Sequence, residues 1–388
     1  MTESVFEELR KFVAPEIVFG PGARKLVGRY ARNLGARRAL LVSDPGVVRA
    51  GWTGEAAADL AEAGVPASIF TGVSPNPRAE EVMAGAAYAR VEGCDLLVAV
   101  GGGSVIDTAK GIGIVSANGG HILEYEGVDR VPLPIPPLIC VPTTGGTSAD
   151  VSQFAIFSDP VERTKVAVIS KAVVPDIALV DPVTLTTLEP RLAASTGMDA
   201  LVHAIEAFAS NAHSPLTDLH ALQAIRLVWP NLLPSVKNPR DVGLRTQVML
   251  GSLEAGLAFS NASLGAVHAL AHSLGGLLDL PHGECNALLL EPVLRFNYPS
   301  AAERYDQVGA AMGLDLRGMR TKEKKAALLA ALDHLRVELG LDASLGVWGV
   351  HRSDVPELAE HASLDPCAVT NPRPVARRDL EVLYEEAL

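Results

Sequence analysis

Residues 95–110, DLLVAVGGGSVIDTAK, run from an apolar segment through three consecutive glycines into a segment with helical periodicity. The pattern predicts a buried strand, Asp95–Val100, a tight turn, and a helix, Ser104–Ser116. Glycines let the backbone approach a ligand closely, and the N–H groups at a helix start favour phosphate. Ser104 can serve as the helix N-cap and also bond a phosphate oxygen. The same stretch also fits an ordinary strand-to-helix connection, and GGGS is not the GxGxxG fingerprint of dinucleotide sites.

The rest of the first half repeats this alternation of strand and helix. The predicted strands are Ile17–Phe19, Arg38–Ser43, Ala67–Phe70, Asp95–Val100, Leu138–Val141, Gln153–Phe157, Lys165–Ile169 and Ile177–Val180, and the predicted helices are Ala23–Leu34, Glu55–Ala63, Ala79–Val91 and Ser104–Ser116. Apolar strands that are each followed by a helix indicate a parallel sheet covered on both faces. Ligands of such sheets bind at the carboxyl ends of the strands, where this sequence places its glycines and short polar residues.

The second half has a different pattern, with long segments of 3.6-residue periodicity and no convincing strand. The predicted helices lie near Leu192–Ala209, Pro215–Leu232, Gly243–Ala258, Leu264–Leu278, Ala301–Ala311, Lys322–Leu339 and Leu380–Ala387. We therefore predict an α/β chain of two domains. Residues 1–188 form a Rossmann-like domain with a parallel sheet, and residues 189–388 form an all-α domain.

The composition limits the partners and the location of the protein. The 388 residues are 48% apolar and carry a net charge of −12, which argues against nucleic acid and anionic membranes as partners. The N-terminus, MTESVFEELRKF, lacks the basic-then-apolar layout of a signal peptide, and no apolar run approaches the roughly 18–20 residues that span a bilayer. The four cysteines are scattered and form no CxxC pair. We expect a soluble, cytoplasmic protein with reduced thiols.

Polar residues at three further strand ends or turns suit a cofactor. Asp44 ends the strand RALLVSD, where a carboxylate can accept hydrogen bonds from ribose hydroxyls and repel a 2′-phosphate. Asn76 lies in the turn SPNPR and is also explained as a turn former. The loop PTTGGTSAD (142–150) follows another buried strand, and its hydroxyls suit either a cofactor or loop capping.

Three of the ten histidines fall within residues 261–286, NASLGAVHALAHSLGGLLDLPHGECN. His268 and His272 share one face of a predicted helix, and His282 follows a Leu-Pro break that can turn the chain back toward that face. Upstream, Asp199 and His203 have the same four-residue spacing on another apolar helix. Imidazole is the commonest protein ligand for divalent transition metals. Taken singly, these residues are also explained as a helix-start acid and buried core histidines.

Four segments together resemble the iron-containing, group III alcohol dehydrogenases: GGGSVIDTAK (101–110), PTTGGTS (142–148), TGMDALVHAIEAF (196–208) and HALAHSLGGLLDLPHG (268–283). The likeness extends from PEIVFGPGA near the N-terminus to NPRP (371–374). It implies an NAD-dependent oxidoreductase that transfers a hydride between nicotinamide C4 and a small primary alcohol or diol, or that reduces an aldehyde. Glycerol dehydrogenases and dehydroquinate-synthase-like cyclases share this architecture and match the motifs less well.

The resemblance also implies roles for individual residues. The metal ligands would be Asp199, His203, His268 and His282 in the all-α domain, holding iron(II), with zinc(II) as the alternative. His272 would be the catalytic residue beside nicotinamide and substrate. Gly102, Gly103, Ser104 and Asp107 would hold the NAD pyrophosphate, Asp44 would favour NAD over NADP, and Asn76, Thr143, Thr144, Thr147 and Lys165 would make further cofactor contacts. Family members dimerise through the strand near Ile17–Phe19, which implies a homodimer or higher homo-oligomer here.

The sequence departs from the family pattern in the loop after the paired threonines. Where the family often has GTGSE, this chain has Thr147-Ser148-Ala149-Asp150, which leaves the identity of the alcohol open. Two other functions stay open as well. One is a regulatory or sensor protein that keeps NAD and metal but turns over slowly, and the other is a sugar-phosphate cyclase that uses NAD transiently. A cyclase should carry a basic cluster for the substrate phosphate in the helical domain, and the sequence has none beside its histidines.

Overall fold

A computed structural model describes residues 11–388, and the predicted features of the preceding stretch, MTESVFEELR, lie outside the described residues. The chain divides into two compact units. The first unit comprises Val13–Leu188 and Pro239–Met249, and the second comprises residues 11–12, Glu189–Asn238 and Leu250–Leu388. Among the helices that the structure describes, none has both the length and the hydropathy that a bilayer span requires.

The first unit is built on a parallel sheet. Its strands are β1 (Glu16–Phe19), β2 (Ala39–Val42), β3 (Ala67–Phe70), β4 (Leu96–Gly101), β5 (Gly127–Val128), β6 (Leu138–Pro142), β7 (Phe154–Asp159), β8 (Thr164–Ile169) and β9 (Ile177–Val180). Within the described chain, six of these strands pair in the order β1-β9-β6-β4-β2-β3, and every pairing is parallel. The predicted parallel sheet is confirmed.

Strands β7 and β8 lie outside that sheet and form a second, smaller one in which β8 is the middle strand, between β5 and β7. β7 and β8 are antiparallel, with Phe154 opposite Ile169 and Asp159 opposite Thr164. Residues 160–163 alone connect the two strands. Such a connection suits a hairpin, because a parallel pair needs a crossover of a dozen residues or more.

Helices cover both faces of the parallel sheet. They are α1 (Val27–Asn33), α2 (Pro45–Ala50), α3 (Trp52–Glu62), α4 (Ala79–Glu92) and α5 (Gly103–Asn118). Side chains of the central strand β4 alternate between two apolar cores. Leu97 and Ala99 belong to the core that contains residues of α4 and α5, whereas Val98 and Val100 belong to the core that contains residues of α1 and α3. This alternation explains why β4 is apolar at every position.

The second unit is helical. Its helices are α6 (Pro190–Ala209), α7 (Pro215–Lys237), α8 (Val242–Ala262, which begins within the segment assigned to the first unit), α9 (Ala266–Leu278), α10 (His282–Asn297), α11 (Ala302–Ala311), α12 (Thr321–Glu338), α13 (Val355–Leu364) and α14 (Arg377–Ala387). Every residue of α6 from Ala193 to Ala209 is buried. α10 packs closely against α6, since a Cβ at Gly283 would lie 2.5 Å from the carbonyl oxygen of Ser195. The sequence pattern did not predict α10 or α13.

Candidate cofactor turn and metal centre

The chain passes from β4 into α5 through Gly102, which is the N-cap of the helix. A Cβ at Gly102 would lie 3.0 Å from the side chain of Thr144, and one at Gly103 would lie 2.9 Å from that of Thr147. Glycines at these two positions therefore let the loop of residues 142–150 pack directly against the turn. The structure thus brings together the glycines and threonines that the sequence singled out.

Three further predicted cofactor residues lie near the same turn: Ser104 and Asp107 on α5, and Thr143 just after β6. The prediction that Ser104 is the N-cap is wrong, because α5 already begins at Gly103. Asp107 Oδ2 accepts a hydrogen bond from the backbone N–H of Ile156 at 3.2 Å, which ties α5 to β7. The backbone N–H of Thr143 donates to the carbonyl of Gly101 at 3.0 Å and extends the β4–β6 pairing by one residue.

Of the remaining predicted cofactor residues, Asp44 and Asn76 follow the neighbouring strands β2 and β3, and Lys165 lies within β8. Asp44 lies two residues beyond β2, which pairs in parallel with β4. It is the N-cap of α2, where its Oδ1 accepts from the backbone N–H groups of Gly46 and Val47. Asn76 follows β3, and its Oδ1 accepts from Nζ of Lys165 at 2.6 Å. This contact joins the parallel sheet to the smaller one.

In the helical unit, Asp199, His203, His268 and His282 form one cluster, the four-ligand cluster, in which one ligand atom of each lies within 4.8 Å of the others. Asp199 Oδ1 lies 3.7 Å from Nε2 of His203, 3.6 Å from Nε2 of His268 and 3.7 Å from Nε2 of His282. Asp199 and His203 are one turn apart on α6, His268 lies in the first turn of α9, and His282 is the first residue of α10.

The spacing of these atoms fits a single divalent ion. Two ligands at about 2.1 Å from an ion and at a tetrahedral angle stand about 3.4 Å apart. The observed separations of 3.6–3.7 Å are close to that value. Three imidazole nitrogens and one carboxylate oxygen suit Fe(II) and Zn(II). The His282 side chain is 33% exposed and the other three are at most 5% exposed, so the cluster opens on the side of His282.

The charges around His268 favour a cation. Burial alone would raise the pKa of the Asp199 carboxyl, but the surrounding imidazoles hold that pKa below its ordinary value. Burial would lower the pKa of His268, but its contacts with Asp199 and Glu206 outweigh burial and raise the pKa to about 9. A proton on His268 would offset one of the two negative charges of Asp199 and Glu206, and a divalent metal ion would offset both.

His272 lies beside the four-ligand cluster without belonging to it. Its ring stacks on that of His282, with centroids 5.3 Å apart, and its Nδ1 lies 2.8 Å from Oδ2 of Asp365. Asp365 Oδ1 also accepts from the backbone N–H of Cys367, and ligand-type atoms of these three residues lie within 4.8 Å of one another. Nothing in the sequence pattern pointed to Asp365, which is 93 residues from His272.

Two more buried polar residues contact the four-ligand cluster and were not singled out from the sequence. Glu206 Oε2 lies 2.6 Å from Nδ1 of His268. Asn286 Nδ2 lies 2.7 Å from Oδ1 of Asp199 and 3.1 Å from Nε2 of both His268 and His282. For Glu206 a signal existed, because positions 199, 203 and 206 share one face of a helix.

Comparison with known proteins identifies the family. Residues 14–182 match the family described as iron-containing alcohol dehydrogenase, and residues 193–388 match the C-terminal part of the Fe-containing alcohol dehydrogenase family. The chain is 38% identical over 379 residues to a 1,3-propanediol dehydrogenase of Klebsiella pneumoniae, covering 97% of this chain and 98% of that protein. It is 36% identical over 377 residues to an NAD-dependent methanol dehydrogenase of Bacillus methanolicus, covering 97% and 99%. A crystal structure of 1,3-propanediol oxidoreductase, 37% identical, superposes with a TM-score of 0.95 and covers 98% of this chain and 100% of that one. The chain belongs to the iron-containing alcohol dehydrogenase family.

Proposed function

We propose that this protein is an NAD-dependent, metal-assisted alcohol dehydrogenase and aldehyde reductase that moves a hydride between nicotinamide C4 and a small primary alcohol or diol. The observation that carries the proposal is the near-equal spacing of Asp199 Oδ1 from three imidazole nitrogens. Membership of the family supports it, as do relatives whose names specify a propanediol and methanol.

The four-ligand cluster would hold iron(II), with zinc(II) as the alternative. A divalent ion there supplies Lewis acidity, which lowers the pKa of an alcohol hydroxyl and polarises a carbonyl. One carboxylate and three neutral imidazoles leave a net charge of +1 with such an ion, so the ligands preserve that acidity. Because His282 is the most exposed of the four side chains, substrate approaches from its side.

His272 is the proposed catalytic residue, and its role is to move the hydroxyl proton of the substrate. It donates Nδ1–H to Asp365 and so keeps a lone pair on Nε2 that can accept the proton. Stacking on His282 holds its ring beside the four-ligand cluster.

NAD is proposed to bind the first unit at the carboxyl ends of β2, β4 and β6, which are neighbours in the sheet. The start of α5, with Gly102, Gly103 and Ser104, offers backbone N–H groups to the pyrophosphate, while Asp107 fastens the helix to β7. Asp44 would bond the ribose. The further contacts are assigned to Asn76, Thr143, Thr144, Thr147 and Lys165.

We also propose a homodimer and a cytoplasmic location. Among the described strands, β1 pairs with β9 alone, so its other edge is available to a second copy of the chain. A monomeric mass by light scattering at micromolar concentration would contradict the dimer. The four cysteines are free thiols, which supports a reducing compartment.

Reconstitution tests the activity. Metal-free protein is loaded anaerobically with Fe(II) or Zn(II), and NADH absorbance is followed with short primary alcohols and diols. We expect metal-dependent NADH formation, and its absence with every metal and alcohol would favour the regulatory alternative. His268→Ala should lose metal yet bind NAD, whereas His351→Ala, at an exposed histidine outside the cluster, should keep both. Full metal content in His268→Ala would refute the ligand assignment.

A further inference from the structure

Helix α6 carries a third polar residue on the face that bears Asp199 and His203. Glu206 follows His203 by three residues, so its side chain stays on that face. The side chain is buried, and a buried carboxylate is costly unless its oxygens are hydrogen-bonded. Both oxygens are bonded here. Oε1 accepts from the backbone N–H of Val267 at 2.7 Å, and Oε2 lies 2.6 Å from Nδ1 and 3.4 Å from the backbone N of His268.

The same carboxylate caps the start of α9. The N-cap residue, Gly265, has no side-chain oxygen, and in its place Glu206 accepts from Val267 while Asn371 Oδ1 accepts from the N–H of Ala266 at 3.1 Å. A Cβ at position 265 would lie 2.8 Å from Glu206 Oε1 and 2.9 Å from Asn371 Oδ1, so glycine makes room for both caps. The positive end of α9 thereby stabilises the buried charge.

We propose that Glu206 is a positioning residue for the metal centre, because it accepts Nδ1–H of His268 and so leaves the lone pair of Nε2, which lies 3.6 Å from Asp199 Oδ1, to a metal ion that the four-ligand cluster would hold. A neutral imidazole has one N–H, and holding it on Nδ1 leaves Nε2 free for an ion. This role rests on the metal centre proposed above.

Glu206→Gln tests the contact at constant side-chain shape. Only one end of the glutamine amide accepts hydrogen bonds, so either Val267 N–H or His268 Nδ1–H faces another donor. Glu254→Gln is the matched control. Glu254 Oε2 lies 2.5 Å from Nδ1 of His220 in the same unit, and His220 is not part of the four-ligand cluster.

The readouts are the Zn(II) dissociation constant of the full chain, from competition with a chromophoric chelator, and the visible spectrum of the Co(II)-loaded protein. We expect roughly 10- to 100-fold weaker Zn(II) binding and altered Co(II) bands in Glu206→Gln. Glu254→Gln should match the wild type in both measurements. Equal Zn(II) affinity in Glu206→Gln and wild type would overturn the role of Glu206. A wild-type protein that binds neither Zn(II) nor Fe(II) would instead refute the metal centre.

Circular dichroism shows whether Glu206→Gln folds. If it does not, Glu206→Asp carries the test, because aspartate keeps the charge near the start of α9 but withdraws the carboxylate from Nδ1 of His268. Weaker Zn(II) binding in folded Glu206→Asp supports the positioning role, and wild-type affinity overturns it.

Discussion

Substitution of Asp44 separates two roles that its carboxylate can play at the end of β2. Oδ1 accepts from the backbone N–H of Gly46 at 2.6 Å and of Val47 at 3.0 Å, and so caps α2. The same carboxylate is proposed to bond the ribose of NAD and to repel the 2′-phosphate of NADP. Serine keeps an N-cap oxygen and removes the charge, whereas alanine removes both.

The two roles predict different magnitudes. Loss of the cap costs about 1 kcal/mol, so Asp44→Ala should lower the free energy of unfolding by that amount, while Asp44→Ser should change it little. Two unit charges at about 4 Å repel by about 1 kcal/mol in water and about 4 kcal/mol near a protein surface. Asp44 is half-buried. Removing its charge should therefore shift the ratio of NADPH to NADH dissociation constants by roughly 5- to 1,000-fold in favour of NADPH.

Fluorescence titrations of metal-free protein with NADH and NADPH measure this ratio without dependence on turnover, and urea denaturation measures stability. Both variants should shift the ratio by similar factors, and Asp44→Ala alone should lose stability. An unchanged ratio in Asp44→Ser would mean that the carboxylate serves only α2, and the ribose role would be refuted. Unchanged stability in Asp44→Ala would instead refute the capping argument.

Two further predictions concern the loop after β6. Ser148 has a φ of +48°, a left-handed conformation that costs a non-glycine residue about 1–2 kcal/mol. Ser148→Gly should therefore raise the free energy of unfolding by about 0.5–1 kcal/mol, after subtraction of the extra chain entropy of glycine. The control is Ala149→Gly, at a residue outside the left-handed region, which should lower the free energy of unfolding measured by urea denaturation. If Ser148→Gly is no more stable than the wild type, the backbone at Ser148 is not strained. Burial raises the pKa of the Asp150 carboxyl to about 6, so the folded protein keeps a proton that the unfolded chain releases near pH 4. The free energy of unfolding therefore falls as pH rises from about 4 through 6. Between pH 5 and pH 8 that of the wild type should fall by about 1.4 kcal/mol relative to that of Asp150→Asn. A stability difference that does not change with pH would contradict this shift.

The alternation of strands and helices could be predicted because each strand of the parallel sheet is a continuous apolar run, which is a local signal. The strand order could not, since it depends on pairings between segments as distant as Glu16 and Ile177. β5 has two residues and no pattern of its own. The sequence pattern did not predict α10 because the helix has Gly283 near its start and Pro292 inside it, and both residue types ordinarily argue against a helix.

The four members of the cluster were selected by the resemblance to the iron-containing alcohol dehydrogenases, whereas spacing alone singled out two pairs, Asp199 with His203 and His268 with His272. The residues that support the cluster could not be predicted. Asn286 contacts Asp199 from 87 positions away, and Asp365 contacts His272 from 93. An amide or a carboxylate inside an apolar segment gives no sign of which distant side chain it bonds. For Glu206 alone the helical spacing from Asp199 indicates that its side chain lies on the same face of α6 as Asp199 and His203.

Asp44 and Glu206 have a common design that determines how their functions must be tested. Each carboxylate bonds backbone N–H groups at a helix start, which stabilise negative charge and fix the position of the side chain. An ionised carboxylate can accept about four hydrogen bonds, so capping leaves sites for a ribose hydroxyl or an imidazole N–H. Alanine at either position therefore removes a cap and a ligand contact together, and its effect on activity has no single cause. Serine at position 44 keeps the cap and removes the charge, and glutamine at position 206 keeps the shape and removes one acceptor. The two effects can thus be measured separately at position 44, whereas at position 206 the Co(II) spectrum reports on the metal ligands and circular dichroism reports on folding.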